Sequence, residues 1–172
     1  MSRYIYAMIR RMDKVEKIIE QWNRELPDLD VSSMSLIGRF KIITQHLSLE
    51  MAKTFTKHGL NPANFDVLAT LRRAGPPYAL SPNDLIASTM VTSGTMTNRI
   101  DQLAKAGLVE RIKNPNDRRS VVVSLTQKGF TVIDPTLRAH VATQSRLTSG
   151  LSESEHKNLN DLLRKFLMSL ED

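Results

Sequence analysis

One stretch of the chain carries polar side chains at a spacing that suits contact with the edges of DNA bases. If Met96, Ile100 and Leu103 form the buried face of a helix, the opposite face presents polar residues, because each helical residue is turned by about 100°. That face, its flanks and the preceding turn carry Ser93, Thr95, Thr97, Asn98 and Gln102. Asn and Gln amides pair with adenine in the major groove, and threonine offers a hydroxyl to phosphate and a methyl to thymine. For an isolated helix, the simpler interpretation is a solvated polar face.

A basic turn follows this helix along the chain. The segments LVERIK and SVVVSL are short and rich in β-branched residues, and NPNDRR between them has turn composition, which predicts a β-hairpin with a basic tip. At such a tip Arg118 and Arg119 can reach a narrow minor groove, and Asp117 can orient one guanidinium through a bidentate bond. Alone, the pair would be a soluble turn. Together with the polar helix, the arginine pair predicts that helix and hairpin bind adjacent grooves of DNA.

The elements that must position these side chains are mostly helices, which begin at caps such as Asn61-Pro62 and Ser81-Pro82. Apolar spacing and caps predict helices over Tyr4–Trp22, from Ser35 to about His58, from Pro62 until Gly75, from Pro82 to about Met90, from Thr92 or Ser93 to Gly107, and after Thr126 and Ser152. Two short helices joined by a tight turn form the helix-turn-helix pattern.

The predicted fold is mainly α with a small β-hairpin wing. It combines a winged helix-turn-helix DNA-binding lobe, residues 61–129, with helical dimerisation segments. Those segments are residues 1–60, which include an extra leading helix, and residues 130–172. The terminal helices carry apolar faces that are too extensive to remain exposed to solvent, which predicts a homodimer.

Composition restricts the class of protein. The chain has 172 residues, a formal net charge of +6 and no cysteine. The segment between Thr92 and Gly129 contains seven lysines and arginines and three carboxylates, so most of the excess positive charge lies in one quarter of the chain. Absence of thiols suits a reducing compartment, and no apolar run reaches about 18 residues, so we expect a cytoplasmic protein without a membrane span.

No pattern of catalytic residues is recognisable. Nucleophile motifs and Gly-rich phosphate loops are missing, and the dispersed histidines are expected at the surface instead of on a metal. We therefore predict no enzyme activity, no catalytic residues, no metal and no cofactor.

The run from Leu80 to Gly129 resembles the MarR family of bacterial transcription regulators. It contains LSPNDL and TSGTMTNRIDQLAKAGLVERIKNPNDRRSVVVSLTQKG, and the likeness extends over essentially the whole chain. The resemblance implies a bacterial protein that is nucleoid-associated when bound, and a dimer with interlocked terminal helices and two winged readers on double-stranded DNA. Their half-sites should lie one helical turn apart, roughly 10 base pairs.

IIEQWNRELPDLDVSSM and FDVLATLRRAGPPYALSP are similar to the urate-responsive, PecS-like branch of that family. This resemblance implies a ligand site of one tryptophan, one aspartate and two arginines, matched here by Trp22, Asp66, Arg99 and Arg111. An indole can stack on a flat heterocycle and two guanidiniums can pair with an anionic purine. A purely structural interpretation is a salt bridge between Asp66 and Arg99, with Trp22 packing the extra helix.

The sequence thus predicts a ligand-relieved repressor that binds a pseudo-palindromic operator as a homodimer, with urate or a similar flat anion as effector. One alternative is a MarR-type regulator of another small aromatic or phenolic ligand. A second is a winged-helix protein-interaction module, whose basic hairpin docks an acidic partner and whose DNA binding is weak and indifferent to sequence.

Replacing Arg118 by alanine should weaken operator binding and lower the slope of log affinity against log salt by about 1, because a guanidinium in the minor groove also neutralises phosphate. Fluorescence anisotropy at two salt concentrations measures both quantities. Unchanged affinity at both would refute this role for Arg118.

Overall fold

The chain divides into two compact units, residues 1–49 and residues 50–172. The computed structural model describes residues 12–89, 96–114 and 117–171, the side chains of residues 117–119 excepted. The elements are α1 (Lys14–Glu25), α2 (Ser32–Lys57), α3 (Pro62–Arg73), β1 (Ala79–Leu80), α4 (Pro82–Ser88), α5 (Met96–Lys105), β2 (Val109–Asn114), β3 (Asp117–Leu125), α6 (Gln127–Thr148) and α7 (Glu153–Glu171). The predicted mainly helical fold with a small antiparallel sheet is confirmed. The functional division at residues 60 and 129 stays a prediction.

Helix α1 begins later than its apolar spacing predicts. Asp13 accepts hydrogen bonds from the backbone amides of Val15 (2.7 Å) and Glu16 (2.8 Å), and Glu16 accepts one from the Asp13 amide (2.8 Å). This reciprocal capping box fixes the helix start at Lys14. The expectation of one helix over Tyr4–Trp22 is therefore wrong at its N-terminal boundary, and residues 1–11 lie outside the described part of the chain.

The core of the second unit holds the reading helix in place. Met96, Ile100 and Leu103 on α5 are each 1% exposed, which confirms the predicted inward face. Apolar side chains from α3, α4, the sheet and α6 pack in the same cluster, among them Val67, Leu68, Leu71, Leu85, Val109, Val123 and Ile133. Burial on all these elements fixes which face of α5 remains for solvent.

The sheet has three antiparallel strands in the order β1-β3-β2, one more than the predicted hairpin. The additional strand is β1, whose residues pair with Ser124 and Val123 of β3. Strand β3 begins at Asp117, so the connection to β2 is residues 115–116, which are not described. The strands therefore extend into NPNDRR, the run predicted as turn, since Asn114 belongs to β2 and the last three residues of the run belong to β3.

The end of α5 is tied to the start of α6. Thr126 caps α6, and its hydroxyl donates to the Gly107 carbonyl (2.7 Å). The Lys128 ammonium donates to the Ala106 carbonyl (2.8 Å). Two carbonyls at the C-terminal end of α5 are thus satisfied by the first turn of the next helix, and one of the donors is a cation that the helix dipole favours there.

Most remaining helix boundaries agree with the sequence. Asn61 and Ser81 cap α3 and α4, each followed by proline, and Ser152 with Glu155 forms the predicted capping box of α7. The predicted caps of α5, Thr92 or Ser93, lie outside the described residues. In the described part, no helix is long and apolar enough to cross a membrane.

Replacing Gly129 by alanine should lower the free energy of unfolding by about 1–3 kcal/mol, because overpacking a close contact forces the backbone to move. A β-carbon there would overlap the Leu108 carbonyl oxygen and lie 3.0 Å from a methyl of Leu125. Gly150 is the matched control, since a β-carbon at that position meets no atom within 4 Å. Urea unfolding measures both variants, and equal stabilities would contradict the packing argument.

Candidate DNA-contacting face and ligand cavity

The outward face of α5 carries the predicted base-reading residues that the structure describes. Thr97, Asn98 and Gln102 are exposed. The Gln102 amide lies within hydrogen-bonding distance of the Asn98 side-chain oxygen (3.4 Å), so the two amides lie side by side on the helix surface. Ser93 and Thr95 lie outside the described residues. The available face therefore presents a hydroxyl and two amides to solvent, which is the chemistry that reads base edges in the major groove.

The wing residues stand at the start of β3. The backbone of Asp117, Arg118 and Arg119 is extended, and Asp117 pairs with Asn114 of β2 beside a register shift. Irregular pairing of this kind bends a strand and increases its twist. The arginines thus belong to a strand end that departs from the regular ladder, next to the short connection.

Arg111 is engaged in an ion pair. Its guanidinium lies 2.7 Å from an Asp101 carboxylate oxygen, which joins β2 to the outer side of α5. Both side chains are substantially exposed, so the pair contributes little to stability. Arg111 is also absent from the residues that line the cavity described next.

A cavity of about 890 Å³ lies in the second unit. Its walls combine apolar and charged side chains, contributed mainly by α3 and α6, with one residue each from α2 and α5. The lining residues are Met51, Pro62, Ala63, Phe65, Asp66, Ala69, Arg72, Arg73, Arg99, Leu137, His140 and Gln144. A largely apolar cavity with a few convergent polar groups is typical of small-molecule sites.

One wall of the cavity is aromatic. The ring centroids of Phe55 and Phe65 are 4.2 Å apart, and the His140 ring lies 5.2 Å from the first and 4.9 Å from the second. Burial lowers the pKa of His140, because the charged form loses its hydration. Its Nδ1 atom is buried and has no hydrogen-bond partner among the described residues. His140 is thus only partly exposed, whereas the sequence predicts all histidines at the surface.

The cavity has an excess of positive charge. Three guanidiniums, those of Arg72, Arg73 and Arg99, line it together with one carboxylate, Asp66. The Nη1 atom of Arg99 is buried and without a hydrogen-bond partner in the described part of the chain. A buried, unsatisfied guanidinium nitrogen is costly, and an anion that accepts its hydrogen bond removes that cost. Such a cavity suits a flat anion.

The structure brings together two of the four residues assigned to the ligand site. Asp66 and Arg99 share the cavity, whereas Arg111 is paired with Asp101. Trp22 lies on α1 in the other unit and is 40% exposed. Sequence reasoning missed Arg72, Arg73 and His140, because no motif or spacing distinguishes them from ordinary helical residues.

Comparisons with known proteins agree with this geometry. A sequence profile of the MarR family matches residues 58–120. The chain is 38% identical to the HTH-type transcriptional regulator PecS of Dickeya dadantii, over 95% of this chain and 93% of PecS. It superposes on Escherichia coli MarR in complex with operator DNA with a TM-score of 0.66 at 26% identity, covering 85% of this chain and 97% of that one. BpsR of Bordetella bronchiseptica, whose DNA binding is regulated by 6-hydroxynicotinic acid, superposes with a TM-score of 0.65 at 26% identity, covering 75% and 90%.

The partly buried imidazole of His140 predicts a pH dependence of stability. Because the pKa of His140 is lower in the folded than in the unfolded chain, the unfolded chain binds the proton more readily. The free energy of unfolding should therefore fall as the pH drops below the ordinary value of 6.5. Replacing His140 by phenylalanine, which retains the aromatic contacts, should flatten this decline between about pH 7 and about pH 5. Urea unfolding across that pH range measures the free energy of unfolding of both proteins.

The exposed His156 on α7 provides the control, and its replacement by glutamine should leave the decline as in the unaltered protein. A His140 variant with the same decline as the unaltered protein would contradict this role for burial.

Proposed function

Since this chain belongs to the MarR family of DNA-binding transcriptional regulators and is not an enzyme, we propose that it is a ligand-relieved repressor. It binds a pseudo-palindromic operator as a homodimer, and urate or a similar flat anion releases it. The observation that carries the effector part is the cavity, which combines an aromatic wall with a buried guanidinium nitrogen that has no hydrogen-bond partner in the described part of the chain.

DNA recognition rests on α5 and the wing. The amides of Asn98 and Gln102 read base edges in the major groove, together with the hydroxyl of Thr97, and the candidates Ser93 and Thr95 extend this contact. Arg118 and Arg119 enter the adjacent minor groove, with Asp117 as the orienting carboxylate. This assignment is supported by the exposure of the described amides above a buried helix face.

Assembly as a homodimer is supported by α7. This helix of 19 residues, Glu153–Glu171, buries none of its side chains within the chain. Leu162, Met168 and Leu170 are more than half exposed, at 66%, 61% and 68%. Most helical stability comes from packing an amphipathic face, so this helix needs a partner surface. A second copy supplies it, and the dimer presents two copies of α5 to successive half-sites.

Relief of repression follows from the position of Arg99, which lies on α5 and lines the cavity. An anion bound to Arg99 pulls on helix α5, which also carries the reading face. A shift of α5 changes the distance or angle between the two recognition helices of a dimer, so both half-sites no longer fit at once.

A second candidate effector is a different small aromatic anion, such as an aromatic carboxylate. It is favoured by the ion pair between Arg111 and Asp101, which occupies one of the two guanidiniums assigned to urate. The relative BpsR responds to 6-hydroxynicotinic acid, a ligand of this chemical class.

The test is an anisotropy titration of the purified protein on its own upstream intergenic DNA and on a scrambled duplex, at fixed salt, with and without urate. We expect a specific-to-nonspecific affinity ratio of about 10³ or more, and a loss of specific affinity when urate is added. Replacing Arg99 by glutamine should abolish the urate effect. Replacing the exposed Arg138 on α6, which does not line the cavity, should retain it.

Specific binding that is indifferent to urate discards this effector and retains the regulator. Release by urate that persists in the Arg99 variant contradicts the cavity assignment. Equal affinity for both duplexes contradicts operator recognition in this region.

A further inference from the structure

Arg72 has two sets of neighbours. Its side chain lines the cavity, while its Nε atom donates to an Asp134 carboxylate oxygen at 2.7 Å. The guanidinium carbon also lies 5.2 Å from the ring centroid of Tyr78 and 5.6 Å from that of Phe130. The two rings contact each other edge to face, 4.9 Å apart. We call Arg72, Tyr78, Phe130 and Asp134 the Arg72 clamp.

The clamp holds a backbone conformation that needs support. Tyr78 has φ of 58°, in the left-handed region that a bulky side chain rarely adopts and that persists only when its surroundings fix it. Its amide donates to the Gly75 carbonyl (2.6 Å), and its carbonyl accepts from the Leu125 amide (3.1 Å). The ring contacts with Arg72 and Phe130 fix the side chain.

Tyr78 immediately precedes the edge strand of the wing sheet. Strand β1 follows it at Ala79 and pairs with Ser124 and Val123 of β3. The pairing covers two residues of β1, so the turn at Tyr78 sets whether the strand meets β3. Strand β3 leads back from there to Asp117 and the two wing arginines. The clamp therefore connects a wall of the cavity with the sheet that carries the wing.

An anion in the cavity would compete with Asp134 for Arg72. The existing pair is partly exposed, with 35% of the Arg72 side chain and 44% of the Asp134 side chain accessible, so solvent weakens it. A guanidinium is a planar fork that binds a flat oxyanion through two parallel hydrogen bonds. In the cavity the same anion also reaches Arg99, whose buried Nη1 has no hydrogen-bond partner among the described residues.

We propose that Arg72 is the positioning residue through which a planar aromatic anion in the cavity acts on the wing. The proposal rests on the proposed function, in which the cavity holds the effector. The anion draws the guanidinium away from Asp134 and from the two rings, the left-handed turn at Tyr78 loses its support, and β1 loosens from β3.

Reciprocity of coupling gives the proposal a distinctive signature. If anion binding and the clamp oppose each other, weakening the clamp must strengthen anion binding. Replacing Asp134 by asparagine removes the competing charge and leaves every cavity-lining residue in place. A merely structural role for the Arg72–Asp134 pair would lower stability without raising anion affinity.

Arg73 offers a matched control for Arg72. It lines the same cavity, but it donates to the Ser88 carbonyl on α4, and no hydrogen bond or ion pair joins its side chain to the clamp among the described residues. Replacing either arginine by glutamine removes one guanidinium from the cavity, so both variants should bind an anion less tightly. Only the Arg72 variant should also lose the connection to the sheet.

The experiment uses the full chain with urate as the probe. Calorimetry measures urate affinity, anisotropy measures operator affinity with and without saturating urate, and hydrogen exchange measures protection of the backbone amides in β1 and at Val123 and Leu125. Asp134→Asn should bind urate about fivefold more tightly, bind operator more weakly without urate, and show at most half of the normal release on a logarithmic scale. Without urate, exchange in β1 and its partner residues should be faster in Asp134→Asn and Arg72→Gln than in Arg73→Gln.

Unchanged urate affinity in Asp134→Asn, or equal loss of release at saturating urate in the Arg72 and Arg73 variants, overturns the proposal. If urate fails to bind the unaltered protein, the proposed effector is wrong. Hydrogen exchange then tests separately whether the clamp supports the pairing of β1 with β3. Faster exchange confined to the Arg72 and Asp134 variants then supports it, and exchange equal to that of the unaltered protein overturns it.

Discussion

The structure of the reading lobe depends on one close approach, between the end of α5 and the first turn of α6. Thr126 and Lys128 donate to carbonyls at the end of α5, and the absence of a side chain at Gly129 lets α6 come against the Leu108 carbonyl. The hairpin leaves and returns at this point, since Val109 pairs with Leu125. Reading helix, wing strands and α6 therefore share one fixed point, and a displacement of any of them changes the geometry of the others.

Charged groups around this lobe are used in two different ways. The pair of Arg111 and Asp101 is exposed and links neighbouring elements at little energetic gain. In the cavity, by contrast, a buried nitrogen of Arg99 and one of His140 have no partner among the described residues. Native proteins leave buried polar atoms unsatisfied rarely, and sites of function are where such local conflicts concentrate. The outer ion pair is thus satisfied within the protein, whereas the two inner nitrogens remain available to a ligand.

Local signals in the sequence were sufficient for several elements. The caps at Asn61, Ser81 and Thr126 act within four residues, so a short window of sequence contains all the necessary chemistry. The inner face of α5 was equally predictable, because helical periodicity and burial coincide there. Asp13 is a cap of the same kind. The apolar spacing continues on both sides of it, however, and predicts one uninterrupted helix.

Features that depend on distant residues could not be read in this way. Strand β1 has two residues, too few for any alternation, and exists only because β3 offers it an edge. His140 is partly buried because Phe55 and Phe65 contact it from other helices. Arg72 looks like a solvated residue at a helix end until its partners are brought from the segments around Tyr78 and Asp134.

The capping box of α7 has a consequence for the kinetics of assembly. Ser152 and Glu155 exchange hydrogen bonds within a single turn, so the first turn of this helix is nucleated by its own residues. Nucleation is the slow and unfavourable step of helix formation, and here it requires no contact with another surface. In the proposed homodimer, two copies would therefore meet as helices that are already initiated, and association would resemble docking more than folding on contact. Less ordering entropy would be lost in that encounter, which favours rapid association.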